Sequence, residues 1–154
     1  MIKRTYPNSR LRRTRAKGFL RDLVAENNLT TDDLIQPIFI ADQSENQIEI
    51  PSMPGIYRHN LDSLYSEVEA ISMQEIKSVA IFPAIDSSKK DQEGSHALDE
   101  KNIVCLALSG IAERFPEIIK IADVALDPYT DHGHDGLLID GRVENDQTLA
   151  LLQK

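Results

Sequence analysis

The sequence predicts an α/β fold built on a parallel sheet, and three observations carry the prediction. Three short runs, residues 34–41 (LIQPIFIA), 78–84 (SVAIFPA) and 118–126 (IIKIADVAL), are apolar at consecutive rather than alternate positions. Strands apolar on both faces belong to sheets covered on both sides, which are the parallel sheets of α/β proteins. Each run is followed by a stretch of helical period, so strands and helices alternate. No G-x-G-x-x-G follows the first run, which argues against a dinucleotide-binding unit. Two architectures satisfy this order, a doubly wound sheet and part of a (β/α)8 barrel. A complete barrel takes roughly 250 residues, so in a chain of 154 a barrel would be incomplete.

The elements follow in order. Phe19, Leu23 and Val24 recur on one face, predicting a short helix over 19–27 that Asn27 or Asn28 ends in the left-handed conformation. Residues 34–41 form the first strand, with Pro37 near its start or at an edge because proline cannot donate to a ladder. Residues 42–60 read as a long connection, within which Ser52-Met53-Pro54-Gly55 has proline and glycine placed for a type II turn. Asn60 is the expected N-cap of a helix through Met73, with Leu64, Val68 and Ile71 on its buried face. After the second strand, the polar residues 86–97 (DSSKKDQEGSHA) read as a mobile loop. A helix from about Asp99 to Phe115 places Ile103, Ala107 and Ile111 on one side and stops at Pro116. The third strand leads into a loop over 127–144, and Asn145 is expected to cap a last helix with Leu149 and Leu152 inward.

Charge is divided sharply. Residues 1–21 hold eight basic side chains (Lys3, Arg4, Arg10, Arg12, Arg13, Arg15, Lys17, Arg21) and no acid, whereas the whole chain carries −8, so residues 22–154 carry −16. A basic arm could bind nucleic acid or dock on the acidic body of a neighbouring copy. Docking is favoured. The arm offers only Tyr6 and Phe19 for stacking on bases, and the acidic body would repel a phosphate backbone. No apolar run is long enough to cross a membrane, and the basic N-terminus lacks the apolar region of a secretory signal. A cytoplasmic location is therefore expected. The single cysteine, Cys105, reads as a small buried hydrophobe.

The chemistry is concentrated in residues 123–136. Four carboxylates (Asp123, Asp127, Asp131, Asp135) and two imidazoles (His132, His134) leave the carboxyl end of the third strand, the end that faces the site in parallel α/β folds. Asp123 interrupts an apolar strand. A buried carboxylate there costs several kcal/mol unless paired, so it is expected to meet a cationic amine of a substrate or lysine, or to form a structural ion pair. Asp127 and Asp135 offer the hard oxygens that suit Mg2+. His132 and His134 are too few for a zinc centre and are expected to orient the loop by hydrogen bonds. A small metal-dependent hydrolase would need at least three ligands here. Asp135-Gly136 and Asp140-Gly141 read as turns.

Three stretches together resemble the porphobilinogen synthase (5-aminolevulinate dehydratase) family. They are Arg10-Leu11-Arg12-Arg13 with Asp33 to Ile40, then Ile50 to Arg58, then Asp123-Val124 through Tyr129 to Gly136 with Val143, Asn145-Asp146 and Thr148-Leu149. The resemblance implies the N-terminal portion of a (β/α)8 TIM barrel, with residues 1–33 as an extended arm and 34–154 as about three strand-helix units. It implies a homo-oligomer held through the arm. It also implies condensation of two 5-aminolevulinate molecules to porphobilinogen with loss of two waters, Asp123 assisting near a substrate amine. Zinc-dependent members place cysteines at the positions held here by Ala125, Asp127 and Asp135, so Zn2+ is not expected and Mg2+ is the candidate metal. The family's Schiff-base lysines match none of Lys3, Lys17, Lys77, Lys89, Lys90, Lys101, Lys120 or Lys154. The chain alone is thus expected to be inactive, and a role as an assembly module on a complete synthase is the alternative. Open sheet edges further predict an aggregation-prone or self-associating chain.

Overall fold

The computed structural model describes residues 5, 7, 9 and 12–154. Lys3, Arg4, Tyr6, Arg10 and Leu11 of the expected arm lie outside the described residues. The chain separates into two compact units, residues 1–30 and 31–154. In the first, a 3-10 turn over Arg13–Arg15 precedes α1 (Gly18–Leu23). Within it Arg21 Nη1 donates to the Arg15 carbonyl at 3.1 Å. α1 is shorter than the expected 19–27. It ends at Val24 with φ −110°, and neither Asn27 nor Asn28 adopts a positive φ. Six residues starting from an uncapped Lys17 are too few to propagate further.

The second unit is built on a five-stranded sheet in the order β2-β3-β1-β4-β5, comprising β1 (Gln36–Ala41), β2 (Gln47–Glu49), β3 (Tyr57–His59), β4 (Ser78–Ala84) and β5 (Ile119–Ala122). β3, β1, β4 and β5 run parallel, and only β2 is antiparallel. The connection expected over 42–60 therefore carries two strands. They escape a periodicity reading because each is three residues long. The turn between them is as expected: the Ile56 N–H donates to the Met53 carbonyl at 3.0 Å, with Pro54 second and Gly55 third at φ +79°. Pro37 is the second residue of β1, beyond the reach of β3, which pairs only with Phe39 and Ile40.

Alternation along β1 and β4 turns Ile38, Ile40, Val79 and Ile81 to one face. There they meet Leu64, Val68 and Ile71 of α2 (Leu61–Met73) and Ile103, Val104, Ala107 and Ile111 of α3 (Ile103–Arg114). Each of these side chains except Ala107 contributes about 1.5–3 kcal/mol by leaving water. α2 starts as expected, the Asn60 side chain accepting from the Ser63 N–H at 3.0 Å. α3 starts at Ile103, not Asp99, because Asn102 is the cap and accepts from the Cys105 N–H at 2.9 Å. Cys105 is half-buried rather than buried.

The opposite face of the sheet departs from expectation, since no helix within residues 31–154 covers it. The Phe39 and Phe82 rings pair there at 5.9 Å, while Ile119 and Ile121 of β5 remain 59% and 38% exposed. β5 is also shorter than 118–126, and the chain leaves the sheet before Asp123. In the expected loop over 127–144, β6 (Leu138–Ile139) and β7 (Arg142–Val143) form a hairpin. Asp140 at φ +49° and Gly141 at φ +75° make its turn, the backbone form for which Asp-Gly is suited. α4 (Asn145–Leu152) is capped by Glu144, not Asn145: the Glu144 carboxylate accepts from the Gln147 N–H at 2.7 Å. Leu149 and Leu152 are exposed rather than inward, and the buried residue of α4 is Thr148.

Candidate functional site

Because β1, β4 and β5 are parallel, their carboxyl ends lie on one side. β1 delivers Asp42, β4 delivers Asp86 and β5 delivers Asp123. A cavity of about 350 Å3 opens beyond β1 and β4, bounded by the N-termini of α2 and α3 and lined by Ala41, Asp42, Ala84, Asp86, Lys89 and His96 among others. Small residues at the two strand ends leave the space. Crevices of this kind are where parallel α/β proteins bind ligands. Lys89 pairs with Asp42 at 2.6 Å, and that hydrogen bond, with the carboxylate charge, pushes the ammonium above its ordinary range. The Asp86 carboxylate accepts from the Ser88 hydroxyl and N–H at 2.6 and 2.9 Å, which holds it below the usual carboxylate value.

The Asp/His loop follows β5. Asp123 is exposed just past the strand, and its Oδ1 accepts from the Ala125 N–H at 3.0 Å. The expectation of a carboxylate buried within the strand is corrected. The strand has already ended, so Asp123 carries no desolvation cost and closes an Asx turn instead. Asp135 Oδ1 accepts from the Leu126 N–H at 2.6 Å, tying the end of the loop to its beginning. The Asp127 carbonyl is 3.5 Å from Thr130 Oγ1, and its exposed side chain is directed to no described protein donor. Ala125 has no donor atom. His132 and His134 act as loop-orienting groups. His132 Nε2 lies 3.2 Å from the Gln92 carbonyl, His132 Nδ1 accepts from the His134 N–H at 3.1 Å, and the two rings sit 5.5 Å apart.

Residues 86–97, expected to be a mobile loop, are instead stitched to this segment. The Asp91 N–H donates to the Tyr129 carbonyl at 3.3 Å, and the Asp131 N–H donates to the Asp91 carbonyl at 3.0 Å. The Asp91 carboxylate accepts from the Glu93 and Ser95 N–H groups at 3.0 Å each, which holds it below the usual range, Ser95 contributing most. Gly94 at φ +67° completes the turn, with Thr130, Tyr129 and Leu126 around it. Thr130 is 1% exposed, and its hydroxyl donates to the His134 carbonyl at 2.9 Å. Burial pushes the Tyr129 hydroxyl up to about 12, helped by nearby Cys105. Sequence reading missed Asp91 and Thr130 as organisers of the loop. Asp91-Gln92-Glu93-Gly94 has the Asx-turn spacing that could have found the first.

Among the described residues, no three or more His, Cys, Asp or Glu side chains form a group able to hold a metal ion. Asp127 and Asp135 supply hard oxygens, but one oxygen of Asp135 is already taken. The two do not by themselves make a metal centre, and the metal-dependent hydrolase reading loses its premise. Also among the described residues, no helix is long and apolar enough to cross a membrane.

Comparison with known proteins gives a consistent result. The family model for delta-aminolevulinic acid dehydratase matches residues 8–154. A delta-aminolevulinic acid dehydratase of Bradyrhizobium diazoefficiens is 47% identical over 143 residues, which are 93% of this chain and 40% of the relative. One from Chlamydia pneumoniae is 42% identical over 142 residues, 92% of this chain and 43% of the relative. One from Ruminiclostridium josui is 38% identical over 145 residues, 94% of this chain and 70% of the relative. A solved structure of delta-aminolevulinic acid dehydratase (porphobilinogen synthase) from Toxoplasma gondii, in complex with the reaction product porphobilinogen, superposes with a TM-score of 0.88 at 36% identity. It covers 94% of this chain and 41% of that one. The chain thus spans about two fifths of the length of the first two relatives and of this structure.

Proposed function

This chain belongs to the delta-aminolevulinic acid dehydratase family, and we propose that it contributes to the condensation of two 5-aminolevulinate molecules to porphobilinogen, with loss of two waters. The observation that carries this reading is the position of the Asp123–Gly136 loop at the carboxyl end of a parallel sheet, in a chain matched to the family over residues 8–154. The five-stranded sheet is read as part of a (β/α)8 barrel. Within residues 31–154 the helices cover one face, and Phe39, Phe82, Ile119 and Ile121 form an apolar opposite face suited to a barrel interior.

Asp123 is assigned the acid-base role. Its Oδ1 is held by the Ala125 N–H, which fixes the carboxylate's direction and leaves Oδ2 for a substrate ammonium. Among the described lysines, Lys77, Lys89 and Lys120 do not fit the nucleophile's role. A Schiff-base lysine needs a lowered pKa, whereas the two with a resolved direction, Lys77 beside Asp32 and Lys89 beside Asp42, are both raised. Lys120 is in register with buried Val79, on the helix side of the sheet and away from the face assigned to the barrel interior. The chain alone is therefore read as inactive. Asp127 and Asp135 suit Mg2+ rather than Zn2+ by their oxygens. The basic arm, set against an acidic remainder, is read as the means of homo-oligomer docking.

Two experiments test the reading. Borohydride reduction of this chain with 5-aminolevulinate, followed by intact mass, should give no adduct. An adduct on one lysine would overturn the assignment of the nucleophile to residues outside this chain. Residues 1–154 fused to the remaining part of the Bradyrhizobium diazoefficiens relative should form porphobilinogen. Asp123→Asn in that fusion should cut kcat by about 100-fold or more, while Asp131→Asn should not. An undiminished Asp123→Asn rate would refute the role of Asp123.

A further inference from the structure

His59 is buried, titratable and unused by the proposed reaction. The residue is 7% exposed, and its Nδ1 is sealed from water with no hydrogen-bond partner. It ends β3, in register with Ile40 of β1 and opposite Gln47 of β2, so its ring points to the helix side of the sheet. There α2 packs over it, and Asp62, Ser63, Ser66 and Glu67 line the same cavity of about 400 Å3 with Asn46 and Gln47. On the hairpin itself, Glu49 and Tyr57 share its face two residues along. The Glu49 carboxylate is occupied by the Gly55 N–H at 2.9 Å. Arg58 alternates to the opposite face beside Phe39, and β1 presents uncharged Gln36, Ile38 and Ile40 on the helix side.

A neutral imidazole tolerates this environment with Nδ1 as an idle acceptor. Protonation converts Nδ1 into a donor with no acceptor and places a charge beside Ile40. Both costs vanish if the ring reaches water. Glu67 attracts the imidazolium, but burial outweighs it, so His59 binds its proton less readily than an exposed histidine at 6.5. The element it anchors is weak. β2 and β3 have three residues each, and β3 joins β1 through only the Phe39–Arg58 and Ile40–His59 pairs. We infer that His59 is an acid-operated latch: protonation of its ring releases the β2–β3 hairpin from the edge of β1 while β1, β4, β5, α2 and α3 stay folded. Release would bare the backbone donors and acceptors of β1 at Phe39 and Ile40, an edge on which another strand could pair.

The sign follows from linkage. The closed hairpin binds the proton less tightly than the open one, whose histidine titrates near 6.5. The latch therefore holds fully above pH 6.5, weakens as pH falls below it, and levels off below the value of the closed state. Between those limits the opening constant rises up to about tenfold per pH unit. The test is amide hydrogen exchange of the full chain, corrected for intrinsic rates, between pH 7.5 and 4.5. Protection over residues 47–59 should fall with acid in the wild type and stay flat in His59→Gln, while residues 103–114 stay flat in both. Hairpin protection independent of pH, or falling equally in His59→Gln, would overturn the latch. Should that variant fail to fold, NMR titration of the wild-type imidazole decides. A midpoint below 6.5 that drops further in Glu67→Gln supports the latch, and a midpoint at or above 6.5 overturns it.

Discussion

Replacing Thr130 by valine isolates the one hydroxyl that closes the Asp/His loop from within. The two side chains are nearly isosteric, so the core around Thr130, which is 1% exposed, keeps its volume. What is lost is the donor to the His134 carbonyl at 2.9 Å and the longer approach to the Asp127 carbonyl at 3.5 Å. A buried hydrogen bond contributes about 1 kcal/mol net, and a partner left unsatisfied costs about 1–3 kcal/mol. His134 is exposed, so water can take over part of its carbonyl, and the lower end applies: about 1–1.5 kcal/mol. That corresponds to a fall in Tm of roughly 3–6 °C for a domain of this size. Amide exchange should show the loss locally, at residues 126–136 and at Asp91, whose N–H and carbonyl bridge to Tyr129 and Asp131. Thr130→Ser retains the hydroxyl and should keep loop protection while losing the methyl contact near Gly94. Wild-type protection across 126–136 in Thr130→Val would refute the claim that this hydroxyl holds the loop.

Three other outcomes follow from the same structure. Asn60→Ala removes the acceptor for the Ser63 N–H at the start of α2 and should cost about 1 kcal/mol, with Asn60→Asp close to wild type in a urea melt. The Asp91 carboxylate, depressed below 3.8 by the Ser95 and Glu93 amides, adds stability that is fully present above pH 3.8 and lost as pH falls through the folded value. The Ser95 amide shift should therefore titrate below 3.8, and titration at or above it would contradict the cap. With Ile119 and Ile121 exposed on the uncovered face, the isolated chain should self-associate or aggregate. Sedimentation and melting at several concentrations would contradict this by showing a monomer with a sharp, concentration-independent transition.

The parts of this protein legible in the sequence are those set by local chemistry. The apolar runs at 34–41 and 78–84 placed β1 and β4, because apolar side chains on both faces leave no polar alternation to misread. Asn60 announced its helix, and Leu64, Val68 and Ile71 announced the buried stripe, because capping and a 3.6-residue period are properties of a few neighbouring residues. Pro54-Gly55 and Asp140-Gly141 declared turns through their own backbone preferences. The Asp/His loop stood out by composition, and its placement at a strand's carboxyl end followed from the alternation of elements.

Tertiary structure alone decided the rest. β2 and β3 are too short to show a period and exist because β3 pairs with β1. Asp123 looked buried because its neighbours are apolar, but burial depends on where the sheet stops, and β5 ends one residue earlier. Leu149 and Leu152 have the spacing of an inward face with no described surface to meet. The polar residues 86–97 looked mobile because the partner that orders them, the 129–131 backbone, lies some forty positions away. His59 could not be singled out at all, since its burial is conferred by α2 and β1 together. Local sequence dictates conformation where the interacting groups are neighbours along the chain; burial, pairing and protonation are set by groups that only the fold brings close.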